Sequence, residues 1–87
     1  MSERRNGTLE DRWNAFSKLN GIPTKKVVSQ NYEGKDTIYV EAGLGQISNA
    51  IDAERELRIA LRDYDLQLLE ILEAEVSTGR MFIGWNT

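Results

Sequence analysis

"NAIDAERELRIALRDYDLQLLEILEAEV", residues 49 to 76, is the longest patterned stretch of the chain, and its reading decides the fold. Measured by helical angle from Leu57, one broad stripe holds Ala50, Ala53, Ala60, Leu61, Tyr64, Leu68, Ile71 and Leu72, flanked by Ile51 and Leu69. This is the period of an amphipathic helix. Ser48 or Asn49 supplies an N-cap and Gly79 a stop. Such a helix runs about 42 Å at ~1.5 Å per residue, whereas a domain of this length is roughly 30 Å across. The expected helix overshoots the domain. Either it breaks near Asp63-Tyr64-Asp65, where helix propensity dips, or its far half packs on another chain. Ile59 and Leu66 fall nearly opposite the main stripe and favour association, with a dimer or higher oligomer built on residues 57–76.

Upstream, the signals are local and sharp. Thr8 is a good N-cap, with Asp11 at the capping-box position. Leu9, Trp13 and Phe16 share a narrow apolar stripe with Leu19 at its margin, and Asn20-Gly21 followed by Pro23 ends the element. The pattern predicts a helix over 9–19. In "KKVVSQNYEGKDTIYVEA" a Gly34-Lys35 turn joins two β-rich runs, and glycine in first position suits a type II′ hairpin. That register sets Tyr32 opposite Thr37 and Ser29 opposite Val40. One face then carries Val27, Ile38, Val40 and Ala42, the other Val28, Tyr32 and Tyr39. Two strands alone are marginal, so a helix must cover the aliphatic face. Downstream of residue 76, Met81, Phe82, Ile83 and Trp85 form an apolar run that reads as a short C-terminal strand.

These elements give an α+β fold: an N-terminal helix, a β-hairpin, a long C-terminal helix with a possible break at 63–65, and a short C-terminal strand. Residues 1–7 read as a disordered basic tail and 8–87 as one small domain.

Composition narrows the chemistry. The 87 residues include neither cysteine nor histidine, which excludes Cys/His zinc sites, histidine acid–base catalysis and Ser-His-Asp triads. No catalytic, metal or cofactor residues are assigned. The net charge of −3 hides a polarity: basic residues dominate up to Lys35, whereas from Asp36 onward ten acids face four bases. Such a bipolar chain can steer a partner or its own copies. No window approaches the ~18 apolar residues of a membrane span, and "MSERRNG" lacks the apolar stretch of a secretory signal. The expected location is the cytoplasm, or a host cytoplasm if the protein is viral.

Three candidate sites stand beside plainer readings. Asp52, Glu56, Asp63 and Glu70 share a polar helical face, yet only Asp52 and Glu56 are close enough to share a cation, and Glu54 with Arg58 reads as a surface ion pair. Tyr32 and Tyr39 with nearby lysines resemble a base-stacking platform, but an acidic chain without a nucleic-acid signature argues against a nucleic-acid partner and makes a cross-strand tyrosine pair the better reading. "GLGQIS", residues 43–48, joins a strand to a helix as phosphate loops do. It lacks the third glycine of a dinucleotide fingerprint and room for a βαβ unit. What survives is an anion or nucleotide at the amides of Gly43, Gly45, Gln46, Ser48 and Asn49.

"YEGKDTIYVEA" leading into "ISNAIDAEREL" resembles, in order of elements, the small phage head–tail joining proteins of the protein W kind, over roughly Leu9 to Arg62. The resemblance implies a structural role at an oligomeric interface; the stretch from Asp63 to Thr87 departs from it, and no functional residues carry over. The expectation is a non-enzymatic, self-associating protein-binding module (an adaptor, inhibitor or assembly protein) that meets itself and another protein through Ile59, Leu66, Leu69, Tyr32 and Tyr39. The alternative is the small-ligand binder at Gly43–Ser48.

Overall fold

The computed structural model describes residues 7–43, 53–74 and 79–86. They form helix α1 (Leu9–Leu19), strands β1 (Thr24–Tyr32) and β2 (Lys35–Ala42), helix α2 (Ala53–Arg62), and strands β3 (Leu66–Ala74) and β4 (Gly79–Trp85). The four strands make one antiparallel sheet in the order β1-β2-β4-β3. β2 and β3 are each antiparallel to β4, so they run parallel to one another with β4 between them. α2 is the crossover that such a split arrangement needs.

α1 forms where its capping residues place it. The Thr8 hydroxyl accepts from the Asp11 amide at 3.2 Å and the Asp11 carboxylate accepts from the Thr8 amide at 3.1 Å, satisfying two donors that the helix cannot. At the other end Gly21 takes φ 61°, and the Ile22 amide turns back to the Ser17 carbonyl at 2.9 Å. Leu9, Trp13 and Phe16 are buried, while Leu19 is exposed.

The hairpin keeps its expected faces but not its expected turn. Glu33 and Gly34 both have positive φ, at 51° and 81°, so the turn is type I′ rather than II′. Tyr32 therefore pairs with Lys35 and Ser29 with Ile38. This register differs from the expected one by two residues. Side chains alternate with a period of two, so each keeps its side of the sheet.

The long C-terminal helix is a correction. α2 ends at Arg62, a tight turn over 63–65 closes with Asp65 at φ 54°, and residues 66–74 are strand. The cause is a coincidence of periods. β3 skips register between Leu68 and Glu70 and again between Ile71 and Glu73, so Leu69 and Leu72 are extra, bulged residues. Two bulges stretch an alternating pattern into apolar residues three and four apart, which mimics a helix. Leu, Gln and Glu also favour helix locally. Tertiary pairing overrides that preference, because β3 completes the second side of β4 and buries Leu66 and Leu68.

Both helices lie on one face of the sheet. Leu9, Trp13 and Phe16 of α1 and Leu57 and Leu61 of α2 meet Ile38, Val40, Leu66, Leu68, Met81 and Ile83. Trp13 and Tyr64 both pack against Phe16, with ring centroids 5.4 and 5.3 Å from it. The Trp13 Nε1–H donates to Thr24 Oγ1 at 3.2 Å, so its one polar atom costs little on burial. The Cα radius of gyration is 11.7 Å. None of the described helices is long and apolar enough to cross a membrane.

Candidate protein-binding face

Alternation that sends Ile38, Val40, Met81 and Ile83 to the helices sends their neighbours the other way. Val28, Tyr39, Phe82 and Glu70 are consecutive cross-strand partners on β1, β2, β4 and β3. They form a row across the uncovered side of the sheet, the side that neither described helix covers. Lys26, Glu41 and Arg80 make the adjoining row. The first bulge in β3 turns Glu70 to this side and returns Ile71 to the core.

Tyr32 completes an aromatic cluster with Phe82 and Tyr39. Its ring stacks on Phe82 at 4.3 Å and 26°, and Tyr39 meets the same ring at 5.4 Å and 57°. Tyr32 and Phe82 have β2 partners four residues apart, about 13 Å along a strand. The sheet must coil to bring these rings together, as right-handed twist requires. Each tyrosine is tied to a carboxylate: the Tyr32 hydroxyl donates to Glu70, and that of Tyr39 to Glu41 at 3.2 Å. The bond to Glu70, with burial and the charges of Glu70 and Glu33, raises the Tyr32 pKa from 10.0 to about 12. The three rings are half-buried, so their faces are presented while their positions are fixed.

Beside the cluster the surface dips. Lys35, Asp36, Gln67, Leu69, Gly84 and Trp85 line a depression of about 270 Å³. Gly84 is its floor, and a Cβ there would come within 3.0 Å of Leu69 Cδ1. Trp85 lines the depression from β4, while its ring points to the helix side of the sheet, where Arg12 of α1 lies over it at 3.9 Å, a cation–π contact that holds the indole in place.

Of the residues expected at a binding surface, Tyr32, Tyr39 and Leu69 come together here. Ile59 and Leu66 do not. Ile59 is 60% exposed on α2, whereas Leu66 is 0% exposed in β3, so the helical face they were expected to share does not exist. For the same reason Asp63 in the turn and Glu70 in the sheet share no helical face with Glu56; Asp52 lies outside the described residues. Gly43 is buried, and its amide is used by the Pro23 carbonyl at 2.8 Å. Gly45, Gln46, Ser48 and Asn49 lie outside the described residues, as do residues 1–6 of the expected tail.

Phe82 and Glu70 are the members that sequence reasoning missed. Alternation in "MFIGW" separates Phe82 from Met81 and Ile83 and could have found it. Nothing local signals Glu70, whose direction depends on a bulge. No family model, curated protein or solved structure matches the chain.

Proposed function

We propose that this protein is a non-catalytic binding module and that the uncovered face of the sheet docks another protein. The observation that carries this reading is the Tyr32–Phe82–Tyr39 cluster beside the depression over Gly84. Rigid aromatic side chains next to a socket are what binding hot spots are made of, because they offer large contact area at little entropic cost. The partner it fits is a protein segment with an apolar anchor for the socket and a basic residue for Glu70. Glu41 and Glu70 stand within the platform and retain acceptor capacity beyond their tyrosine bonds. The same two carboxylates disfavour a nucleic-acid backbone at this surface.

Helix, hairpin and helix through Arg62 follow the order of elements that resembles phage head–tail joining proteins, which supports an assembly role by fold-level analogy. The anion-binding alternative gains no support from α2, whose first turn already carries Glu54 and Glu56 at the positive end of the helix dipole.

Affinity capture from the native host tests the reading, using the wild type, Tyr39→Ala, Phe82→Ala and the α1 control Lys18→Ala, each checked for folding by circular dichroism. A protein held by the wild type and by Lys18→Ala should bind at least about tenfold more weakly to the two sheet variants. Equal retention by all four folded proteins overturns the proposal.

A further inference from the structure

The sheet has two edges, and they differ. β3 is broken by bulges at Leu69 and Leu72, which is how edge strands are kept from pairing with other chains. β1, the other edge, has its one irregularity at Lys25 and is regular from Lys26 to Tyr32. Among the described residues nothing pairs with its outer side. We infer that β1 pairs with β1 of a second copy of this chain, antiparallel about a two-fold axis at Ser29, extending the sheet from four strands to eight.

The register follows from hydrogen-bond parity. Along an antiparallel strand, backbone groups point alternately to one neighbour and the other. The Gln30 carbonyl points to β2, since it accepts from the Thr37 hydroxyl at 3.2 Å. Lys26, Val28, Gln30 and Tyr32 therefore address β2, and Val27, Ser29 and Asn31 present their N–H and C=O groups outward. A two-fold at Ser29 lets the two Ser29 residues exchange bonds and sets each Val27 against Asn31 of the other copy. An axis between two residues would set an outward group against an inward one and make no ladder.

An axis at any residue of β1 sets outward groups against outward groups, and charge selects Ser29 among them, because only there does Lys25 stand opposite Glu33 of the other copy. Lys25 and Lys26 stand at one end of β1, and Glu33 follows its other end. Pairing about Ser29 brings each basic end to the other copy's acidic end, twice by symmetry. An axis at Val27 would instead crowd the lysines of both copies and shorten the overlap. The pairing leaves both aromatic faces on the same side of the joined sheet, so this inference uses a different surface from the docking face and does not rest on that proposal.

Sedimentation equilibrium at tens of micromolar should give a dimer. Ser29→Pro removes the outward N–H and leaves the bonds to β2 intact, so it should weaken the dimer at least about tenfold. Ser29→Ala, which loses only the hydroxyl that donates to Glu10, should remain dimeric. The chain has no cysteine, so Ser29→Cys adds a single thiol opposite its own copy, at a Cα separation of ~5.5 Å that a disulfide spans. Mild oxidation should yield a covalent dimer of Ser29→Cys but not of the surface control Lys18→Cys. A monomeric mass with no Ser29→Cys cross-link overturns the inference. So does a dimer as tight in folded Ser29→Pro as in the wild type.

Discussion

One side of the sheet carries Ile38, Val40, Leu66, Leu68, Met81 and Ile83 under two helices; the other carries Tyr32, Tyr39, Phe82, Glu41 and Glu70 with none of the described helices over them. The same four strands supply both, with opposite results. On the covered side the residues are aliphatic and almost wholly excluded from solvent. Their contribution is area removed from water. On the uncovered side the rings are half-buried, and hydroxyl-to-carboxylate bonds fix their directions. The covered face contributes buried apolar area, and the other holds rings and carboxylates that stay partly open to solvent. Substitutions should therefore act on different properties according to the side they touch.

The largest effect belongs to the covered side. Trp13 is 0% exposed, touches Phe16 and donates to Thr24. Trp13→Ala should cost about 3–5 kcal/mol, much of the stability of so small a domain. Chemical denaturation followed by far-ultraviolet circular dichroism checks it. A loss below about 1 kcal/mol would mean that the site collapses around the cavity and that the tryptophan is not central to the core.

Phe82→Ala, on the uncovered side of the same sheet, should cost less. The ring contacts Tyr32 and Tyr39 but remains partly open to solvent. A loss of about 1–2 kcal/mol is expected from partial burial and two ring contacts. The measured denaturation midpoint should lie between those of the wild type and Trp13→Ala. If it falls as far as that of Trp13→Ala, the two faces are not the distinct regions described above.

This contrast also explains what could be read from the sequence. The first half was legible because its instructions are local: Thr8 and Asp11 start α1, Asn20-Gly21 ends it, and alternation sorts Val27 from Val28 and Tyr39 from Val40. Even a wrong turn type left each residue on its proper side, since the register moved by an even number. β3 was illegible because its strand character is imposed from β4, while its own Leu, Gln and Glu favour helix. The bulges at Leu69 and Leu72 disguised the alternation. Ile59 and Leu66 failed as a pair with the helix that was to hold them. Tyr32 and Tyr39 share a face as expected because the hairpin alone fixes it; Glu70 escaped notice because a bulge determines its direction.

Gly84→Ala should separate binding from stability more cleanly than Phe82→Ala. The new methyl would press on Leu69 Cδ1 at 3.0 Å, and a leucine side chain can rotate away at modest cost. Replacing a strand glycine also removes an entropic penalty of roughly 0.5–1 kcal/mol. The two effects nearly cancel, so the melting temperature should move by no more than about 4 °C. The floor of the depression nevertheless rises, and a captured partner should bind several-fold more weakly. A folded Gly84→Ala protein that keeps full affinity would remove the depression from the proposed face while leaving the aromatic cluster in place.

The smallest effect is one of titration. Ionising Tyr32 breaks the bond its hydroxyl donates to Glu70 and puts a second negative charge beside that carboxylate. The folded pKa, about 12, exceeds the ordinary 10.0. The bond's contribution is therefore complete below about pH 10 and is lost as pH rises from about 10 to about 12. Spectrophotometric titration should find a phenol ionising late in the wild type and absent from Tyr32→Phe. In Glu70→Gln the same phenol should ionise earlier, because both the charged acceptor and the repulsion are gone. If Glu70→Gln titrates as the wild type does, Tyr32 is held by its ring contact with Phe82 alone, and the uncovered face owes less to its carboxylates than the comparison requires.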